Sequence, residues 1–100
     1  MTDMAKGALH GIKVLDLSRV LAGPSCTQVL ADLGAEVIKV ERPHIGDETR
    51  HWAPPKFSDD TSAYYATINR NKESLTVDIT TPAGQTIIKQ LVASSDIVVE

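Results

Sequence analysis

The chain has 100 residues, which is enough for one small domain and makes a single domain the upper limit. Hydrophobic residues make up 42% of the sequence and charged residues 23%, and this globular composition excludes general disorder. The formal net charge of -3 provides no broad attraction for nucleic acid or for an anionic lipid surface. We therefore expect no nucleic-acid partner. No apolar stretch approaches the roughly 20 residues of a membrane-spanning helix, so we expect no membrane partner either.

Cys26 is the single cysteine, so an internal disulfide is excluded. The first nine residues lack the long apolar run of a signal peptide, which makes the cytosol the expected compartment. Residues 97–100 are typical of a buried strand, and the sequence stops inside them. We therefore expect residues 1–100 to be a truncated piece of a longer protein.

The first predicted unit is a strand followed by a helix. Residues 12–17 are apolar and rich in strand formers, and Pro24 suits the first turn of a helix just after them. Gly34 supplies a C-terminal stop for that helix. Four residues recur at the spacing of one helical face and predict its core-facing side: Cys26, Val29, Leu30 and Leu33.

A second strand is predicted over residues 36–41, only a few residues after the helix. Such a short return is typical of a parallel βαβ crossover, which should be right-handed. Ligands of such sheets bind at the carboxyl ends of the strands, so we expect functional residues there.

Residues 42–60 are rich in proline and charged side chains, which predicts an ordered excursion or lid. Trp52 and Phe57 are its large apolar residues and are expected to anchor it. Its carboxylates are assigned to solvation or turn formation, not to acid–base chemistry: Asp47, Glu48, Asp59 and Asp60.

Leu75, Val77 and Ile79 alternate with polar residues, which predicts a strand near the sheet edge. Thr81 and Pro82 are typical of an N-cap and a first helical residue. The apolar face of the helix that follows is predicted to comprise Ile87, Ile88, Leu91 and Val92, and a strand returns at residues 96–100. The order β-α-β-loop-β-α-β indicates an α/β fold with an open, mostly parallel sheet.

The first strand–helix turn, residues 21–26, has one glycine where a dinucleotide fingerprint needs three, and the chain has no P-loop. The free N–H groups at the start of the helix still suit an anion or a carbonyl, although an ordinary βα turn explains the same residues. Arg42 directly follows the second strand, so it emerges at the same edge. It is either a ligand contact or a solvated arginine.

Cys26 lies in the first helical turn, where a nucleophilic thiol is conceivable, but its phase with the apolar face favours a small core residue. No histidine is placed by local sequence to activate it. The spacing of Cys26 with His10, His44 and His51 fits no metal site, so no metal is expected.

Several segments of the chain closely resemble the class III coenzyme A-transferases. The matching residues are 15–24, 31–43, 46–47, 69–72 and 96–100, which span almost the whole chain. The family includes formyl-CoA, carnitine and succinyl-CoA:glutarate transferases and α-methylacyl-CoA racemase. The resemblance implies that residues 1–100 are the N-terminal part of a Rossmann-like large domain, with a smaller second domain and an interlocked homodimer in the whole protein.

The same resemblance implies that coenzyme A, as an acyl-CoA substrate, lies at the carboxyl edge of this sheet. From the thioester end to the adenosine end, the residues expected along it are Arg19, Leu21, Ala22, Arg42, Val77 and Thr80. The transferases use an aspartate nucleophile that lies beyond Glu100, so no catalytic residue is expected here and the chain alone should be inactive.

Two departures bear on the substrate: Leu21 replaces a glutamine of the formyl-CoA transferases, and Thr80 replaces a lysine. They argue against a formyl or oxalyl substrate. Residues 19–24, with residues 52–55 downstream, look more like the dicarboxylate-using branch that includes succinyl-CoA:glutarate transferase. A racemase remains an alternative, because it shares this half of the protein. A non-catalytic module that binds coenzyme A or a nucleotide is the second alternative.

Overall fold

The computed structural model describes residues 7–59 and 61–100, which form an α/β fold around a parallel sheet. The strands are β1 (Lys13–Asp16), β2 (Glu36–Glu41), β3 (Lys56–Ser58), β4 (Thr61–Ser62), β5 (Glu73–Thr76) and β6 (Ile97–Val99). The helices are α1 (Ala22–Asp32), α2 (Ala63–Ile68) and α3 (Pro82–Ser94), and a 3₁₀ turn spans Glu48–His51. None of the described helices is long and apolar enough to cross a membrane.

The main sheet has the strand order β5-β2-β1-β6, and each neighbouring pair is parallel. Val14 on β1 lies opposite Val37 on one side and Ile97 on the other. The predicted open, parallel sheet is therefore confirmed. Since all four strands point the same way, their carboxyl ends share one edge.

The core consists of two small apolar clusters on opposite faces of the sheet, because successive strand residues point to opposite sides. Val14 packs with Val37 and with the helix α1 residue Ala31, and Leu15 packs with Val40 and Val77. Ile88 and Leu91 of α3 cover the second cluster. Helices therefore cover both faces, and the carboxyl edge of the strands stays open between them.

Helix α1 buries a different face from the one that apolar spacing predicts. Of the four residues expected in the core, Leu30 is partly buried and three are exposed: Cys26, Val29 and Leu33. The buried side is small or polar: Pro24, Thr27 and Ala31. The Thr27 hydroxyl donates to the buried Asp16 carboxylate at 2.6 Å, and this polar contact selects the face. The prediction that Cys26 is a core residue is therefore wrong.

Helix α3 follows its predicted signals more closely. The Thr81 side chain accepts a hydrogen bond from the Gly84 N–H at 3.0 Å, which confirms the N-cap, and Pro82 is the first helical residue. Ile88 and Leu91 face the core as expected, whereas Ile87 and Val92 are exposed.

Strand β5 is an edge strand of the described sheet, as predicted, but it begins and ends earlier than the alternating pattern indicates. Val77 lies beyond its end and still donates from its N–H to the Glu41 carbonyl at 2.9 Å. Val77 is buried while Leu75 and Ile79 are exposed, so only one of the three alternating residues enters the core.

The described part of the excursion, residues 42–59, contains the 3₁₀ turn and β3, but Trp52 and Phe57 do not anchor it. Their relative exposures are 46% and 74%, and the Trp52 ring makes an edge contact with Tyr64, with ring centroids 5.0 Å apart. The buried residues of this segment are polar instead, namely Asp47 and Thr49. Asp60, one of the predicted loop carboxylates, lies outside the described residues.

Candidate functional site

A cleft of about 370 Å³ opens at the carboxyl edge of β1, β2 and β5. Its walls come from the residues that end or follow these three strands, residues 17–19, 40–42 and 77–80, and Lys39 and Asp47 lie beneath them. Open α/β sheets bind their ligands in such crevices, because successive loops diverge there and leave backbone groups accessible. The cleft is therefore the candidate site.

The structure brings four of the six predicted binding residues together in this cleft: Arg19, Arg42, Val77 and Thr80. Leu21 and Ala22 do not line it. They are exposed at the start of α1, where Leu21 is the N-cap residue and makes no capping hydrogen bond from its side chain.

Two arginines lie at the mouth of the cleft. Arg19 is 3.5 Å from the Glu48 carboxylate, and its side chain remains largely exposed. The Arg42 Nε donates to the Gly46 carbonyl at 3.0 Å, which fixes the guanidinium at the rim. Among residues 7–59 and 61–100, Arg42 has no carboxylate within ion-pair distance. No described carboxylate therefore occupies its other N–H groups, which point to an anion site as a hypothesis.

Gly46 closes the turn whose carbonyl accepts from Arg42. Any other residue at position 46 would require the surrounding atoms to move. The φ of Gly46 is +67°, and a Cβ built there would lie 2.7 Å from the Glu41 carboxylate and 3.1 Å from the Arg50 side chain.

A buried ion pair joins Lys39 and Asp47 beneath the cleft. The Lys39 Nζ is 2.9 Å from the Asp47 carboxylate and also donates to the Ser18 carbonyl at 2.9 Å. The two side chains are 1% and 0% exposed, so the prediction that Asp47 is solvated is wrong. Its predicted turn role is confirmed, because it accepts from the Thr49 N–H at 2.9 Å. Burial acts to raise the pKa of Asp47, but the hydrogen bonds from Thr49 and Lys39 outweigh it and lower the pKa.

The turn between β1 and α1 is strained at Val20, whose φ is +71°. This left-handed conformation brings Cβ close to a carbonyl oxygen and costs about 1–2 kcal/mol for a branched residue. The Val20 N–H donates to the Asp47 carboxylate over a long 3.4 Å. The same acidic residue therefore contacts both Lys39 and the strained turn.

A second buried ion pair joins Asp16 at the end of β1 to Lys72, with 3.1 Å between the carboxylate and the ammonium. Asp16 also accepts from the hydroxyls of Ser18 and Thr27. Burial acts to raise the pKa of Asp16, but these hydrogen bonds and the Lys72 charge lower it overall. Burial lowers the pKa of Lys72 more than the neighbouring Asp16 charge raises it, so the pKa of the ammonium is lowered overall.

Glu41, at the end of β2, fixes the excursion to the sheet. Arg50 donates to it twice, at 2.7 and 2.8 Å, and Tyr65 and Ser74 donate at 2.8 and 2.5 Å. Burial acts to raise the pKa of Glu41, but these hydrogen bonds lower it to about 2. Burial and the neighbouring Glu41 charge raise the pKa of Tyr65.

The sequence interpretation missed this polar network, although one signal was present. Asp16, Lys39 and Glu41 are charged residues inside otherwise apolar strands, and such positions are rarely charged unless the charges are paired. The partner of Asp16, Lys72, is distant in sequence, and the partners of Lys39 and Glu41, Asp47 and Arg50, lie in the irregular excursion, so no local spacing could identify the pairs.

A second cavity, of about 520 Å³, lies on the other side of Glu41, Arg42 and Gly46. Lys56, His44 and His51 contribute basic groups to its lining, and Asp59 contributes a carboxylate. In the part of the chain that the structure describes, no three histidine, cysteine or acidic residues are grouped to hold a metal ion.

The sequence model of CoA-transferase family III matches residues 9–100, which include every residue of the cleft. The chain belongs to CoA-transferase family III. The family resemblance seen in the sequence motifs is thus confirmed.

Named relatives of CoA-transferase family III agree with this assignment. The chain is 59% identical over 92 of its residues to the human succinyl-CoA:glutarate CoA-transferase, covering 92% of this chain and 21% of that protein. It is 46% identical over 97 residues to the formyl-CoA:oxalate CoA-transferase of Afipia carboxidovorans, covering 97% of this chain and 22% of that protein. The chain thus spans about a fifth of the length of these relatives.

A crystal structure of a CAIB/BAIF family protein from Brucella suis has the same fold. It superposes with a TM-score of 0.87 at 46% identity, covering 93% of this chain and 25% of that one. The predicted α/β fold class of this CoA-transferase family III chain is therefore confirmed by a solved structure.

Proposed function

We propose that the protein transfers coenzyme A between an acyl-CoA thioester and a carboxylic acid, and that this chain supplies part of the coenzyme A site. The observation that carries the proposal is the meeting of Arg19, Arg42, Val77 and Thr80 in one cleft at the carboxyl edge of the sheet. These residues follow three different strands and are far apart in sequence, so their proximity is a consequence of the fold.

The chemistry of the cleft suits an adenosine phosphate. Val40, Val77 and Ile79 contribute apolar surface for a base, and Arg42 offers N–H groups for a phosphate. On this proposal the pantetheine arm continues past Arg19 toward Leu21 and Ala22 at the start of α1. No metal ion is part of the proposal.

The chain is proposed to supply binding contacts and no nucleophile. Asp16 and Asp47 lie near the cleft, but both are fully buried and their oxygens already accept hydrogen bonds and contact lysines. A carboxylate held in this way has no free lone pair directed at a substrate carbonyl.

A dicarboxylic acid is the proposed acceptor. The higher identity to a relative named for succinyl-CoA and glutarate supports it, as does the resemblance of residues 19–24 and 52–55 to the dicarboxylate-using branch. The proposal extends to an interlocked homodimer and to the cytosol, where the exposed free thiol of Cys26 would stay reduced.

The activity test is an assay of the intact protein with succinyl-CoA and glutarate. Formation of glutaryl-CoA, detected by mass spectrometry, supports the proposal. Exchange of the proton beside the thioester carbonyl in deuterated water, without a new thioester, would favour a racemase instead. Binding of coenzyme A without either reaction would favour a non-catalytic module.

Arg42→Ala is expected to weaken binding of coenzyme A by tenfold or more, because one charge-assisted contact contributes about 1.5 to 3 kcal/mol. Isothermal titration calorimetry on the intact protein measures the change. Arg70→Ala is the matched control, since Arg70 is exposed and pairs with Asp32 outside the cleft. Equal affinities of the Arg42 variant and the parent would remove Arg42 from the site.

Leu21→Gln is expected to change the preference between acyl donors while leaving the fold intact, because Leu21 is exposed and its side chain is not part of the core. The ratio of kcat/KM for succinyl-CoA and formyl-CoA measures the preference, and thermal melting monitors the fold. A lower melting temperature with an unchanged ratio would make Leu21 a packing residue.

A further inference from the structure

Three buried charged side chains hold one short turn, residues 18–20. Asp16 accepts from the Ser18 N–H at 2.8 Å, and Lys39 donates to the Ser18 carbonyl at 2.9 Å. Asp47 accepts from the Val20 N–H at 3.4 Å and pairs with Lys39. An ordinary βα turn forms without buried charged side chains. The three buried charged residues around residues 18–20 therefore have a role other than reversing the chain direction.

The conformation of the turn supplies that reason. The Val20 backbone has a left-handed conformation, with φ of +71°. A β-branched residue relaxes from this conformation to a negative φ unless surrounding contacts hold it. On either side of Val20 are Arg19, which lines the cleft, and Leu21, which precedes α1. Relaxation of Val20 would therefore reorient both neighbours.

Asp47 also joins this turn to the excursion. It caps the 3₁₀ turn through the Thr49 N–H and hydroxyl, and its neighbour Glu48 lies 3.5 Å from Arg19. The Asp47 N–H donates to Glu41 at 2.8 Å, which connects it to the end of β2. Through its carboxylate and its backbone N–H, Asp47 thus contacts three of the segments around the cleft.

We propose that Asp47 is a positioning residue for coenzyme A binding: with Lys39, it holds Val20 in its strained conformation and thereby places Arg19 at the cleft. The proposal rests on the proposed function, because it assigns the cleft to coenzyme A. Asp47 itself does not touch the ligand on this reading; it acts through the backbone of residues 18–20.

The first test is Asp47→Asn in the intact protein. The amide keeps the shape of the side chain but leaves the Lys39 ammonium without a counter-charge, so Val20 should relax and coenzyme A affinity should fall about tenfold by calorimetry. Asp32→Asn is the matched control, because it also removes an ion-paired carboxylate but lies outside the cleft. Its affinity should match that of the parent.

The second test is suppression by Val20→Gly. Glycine adopts φ near +71° without strain, so the double variant with Asp47→Asn should regain at least threefold of the lost affinity. If Asp47 only stabilised the fold, the added flexibility of glycine would deepen the defect. Failure of the glycine to restore any affinity would therefore overturn the positioning role.

Hydrogen exchange separates this inference from the proposed function. Exchange at the Val20 amide needs no ligand, and it should be faster in Asp47→Asn than in the parent while the strands stay protected. A parent protein that binds no coenzyme A defeats the proposed function, whereas unchanged exchange at Val20 defeats the positioning role. Where Asp47→Asn does not fold, Thr49→Val removes one hydroxyl from Asp47 and should give the same changes at a smaller, twofold to fivefold scale.

Discussion

Asp16→Asn is expected to lower the free energy of unfolding by about 3 to 5 kcal/mol, because it breaks a buried ion pair from one side. The Lys72 ammonium would keep its contacts with the Pro24 carbonyl and the Asn69 side chain at 2.9 and 2.8 Å, but it would lose its only charged partner among the described residues. The amide has nearly the shape of the carboxylate, so no cavity contributes. Urea unfolding followed by circular dichroism measures the change.

Two comparisons make this prediction specific. Asp32→Asn removes an exposed ion pair with Arg70 and should leave the urea midpoint nearly unchanged. The double variant Asp16→Asn with Lys72→Met removes both charges and should recover a large part of the loss. A single Asp16→Asn variant that is as stable as the parent would show that Lys72 is satisfied by neutral acceptors alone.

Acid should destabilise the fold through Glu41, whose pKa falls from the ordinary 4.5 to about 2. A depressed carboxyl pKa stabilises the folded state fully above the unfolded value, and the stabilisation disappears as the pH falls through the folded value. Glu41 should therefore contribute about 3 kcal/mol near neutral pH that is lost between about pH 4.5 and pH 2. The lowered pKa values of Asp16 and Asp47 act in the same direction.

The measurement is the urea midpoint of the parent and of Glu41→Gln at a series of acidic pH values. The variant should be less stable near neutral pH, and its midpoint should fall less steeply with acid, because the group that titrates is gone. Glu36→Gln, an exposed change on the same strand, should keep the steep dependence of the parent. Equal slopes for the parent and Glu41→Gln would assign acid sensitivity to other carboxylates.

The order of strands and helices could be predicted because the signals are local. Residues 12–17 and 36–41 are short runs rich in strand formers, and Thr81 with Pro82 marks a helix start through groups within three residues of one another. Helix α2 was missed because it has only six residues and follows a proline-rich segment without an apolar period. Ser62 caps this helix by accepting a hydrogen bond from the Tyr65 N–H. The polar residues around Ser62 make it hard to recognise as an N-cap from the sequence.

Which side of α1 faces the core could not be predicted from hydropathy. The apolar spacing of Cys26, Val29 and Leu33 indicates one face, but the bond from Thr27 to Asp16 selects another. Only the packed structure shows that Asp16 is buried and so requires a donor from the helix above it.

In the candidate site, too, some features follow from the sequence and others only from the tertiary structure. The sequence by itself determined the α/β class and the family, since these depend on short-range pattern and motif. The family resemblance also named Arg19, Arg42, Val77 and Thr80, which lie together in the cleft. Only the tertiary structure decided the pairs of Asp16 with Lys72 and of Lys39 with Asp47. Paired charges must come within a few ångströms after the chain has folded, and neither spacing nor hydropathy along the chain encodes that distance.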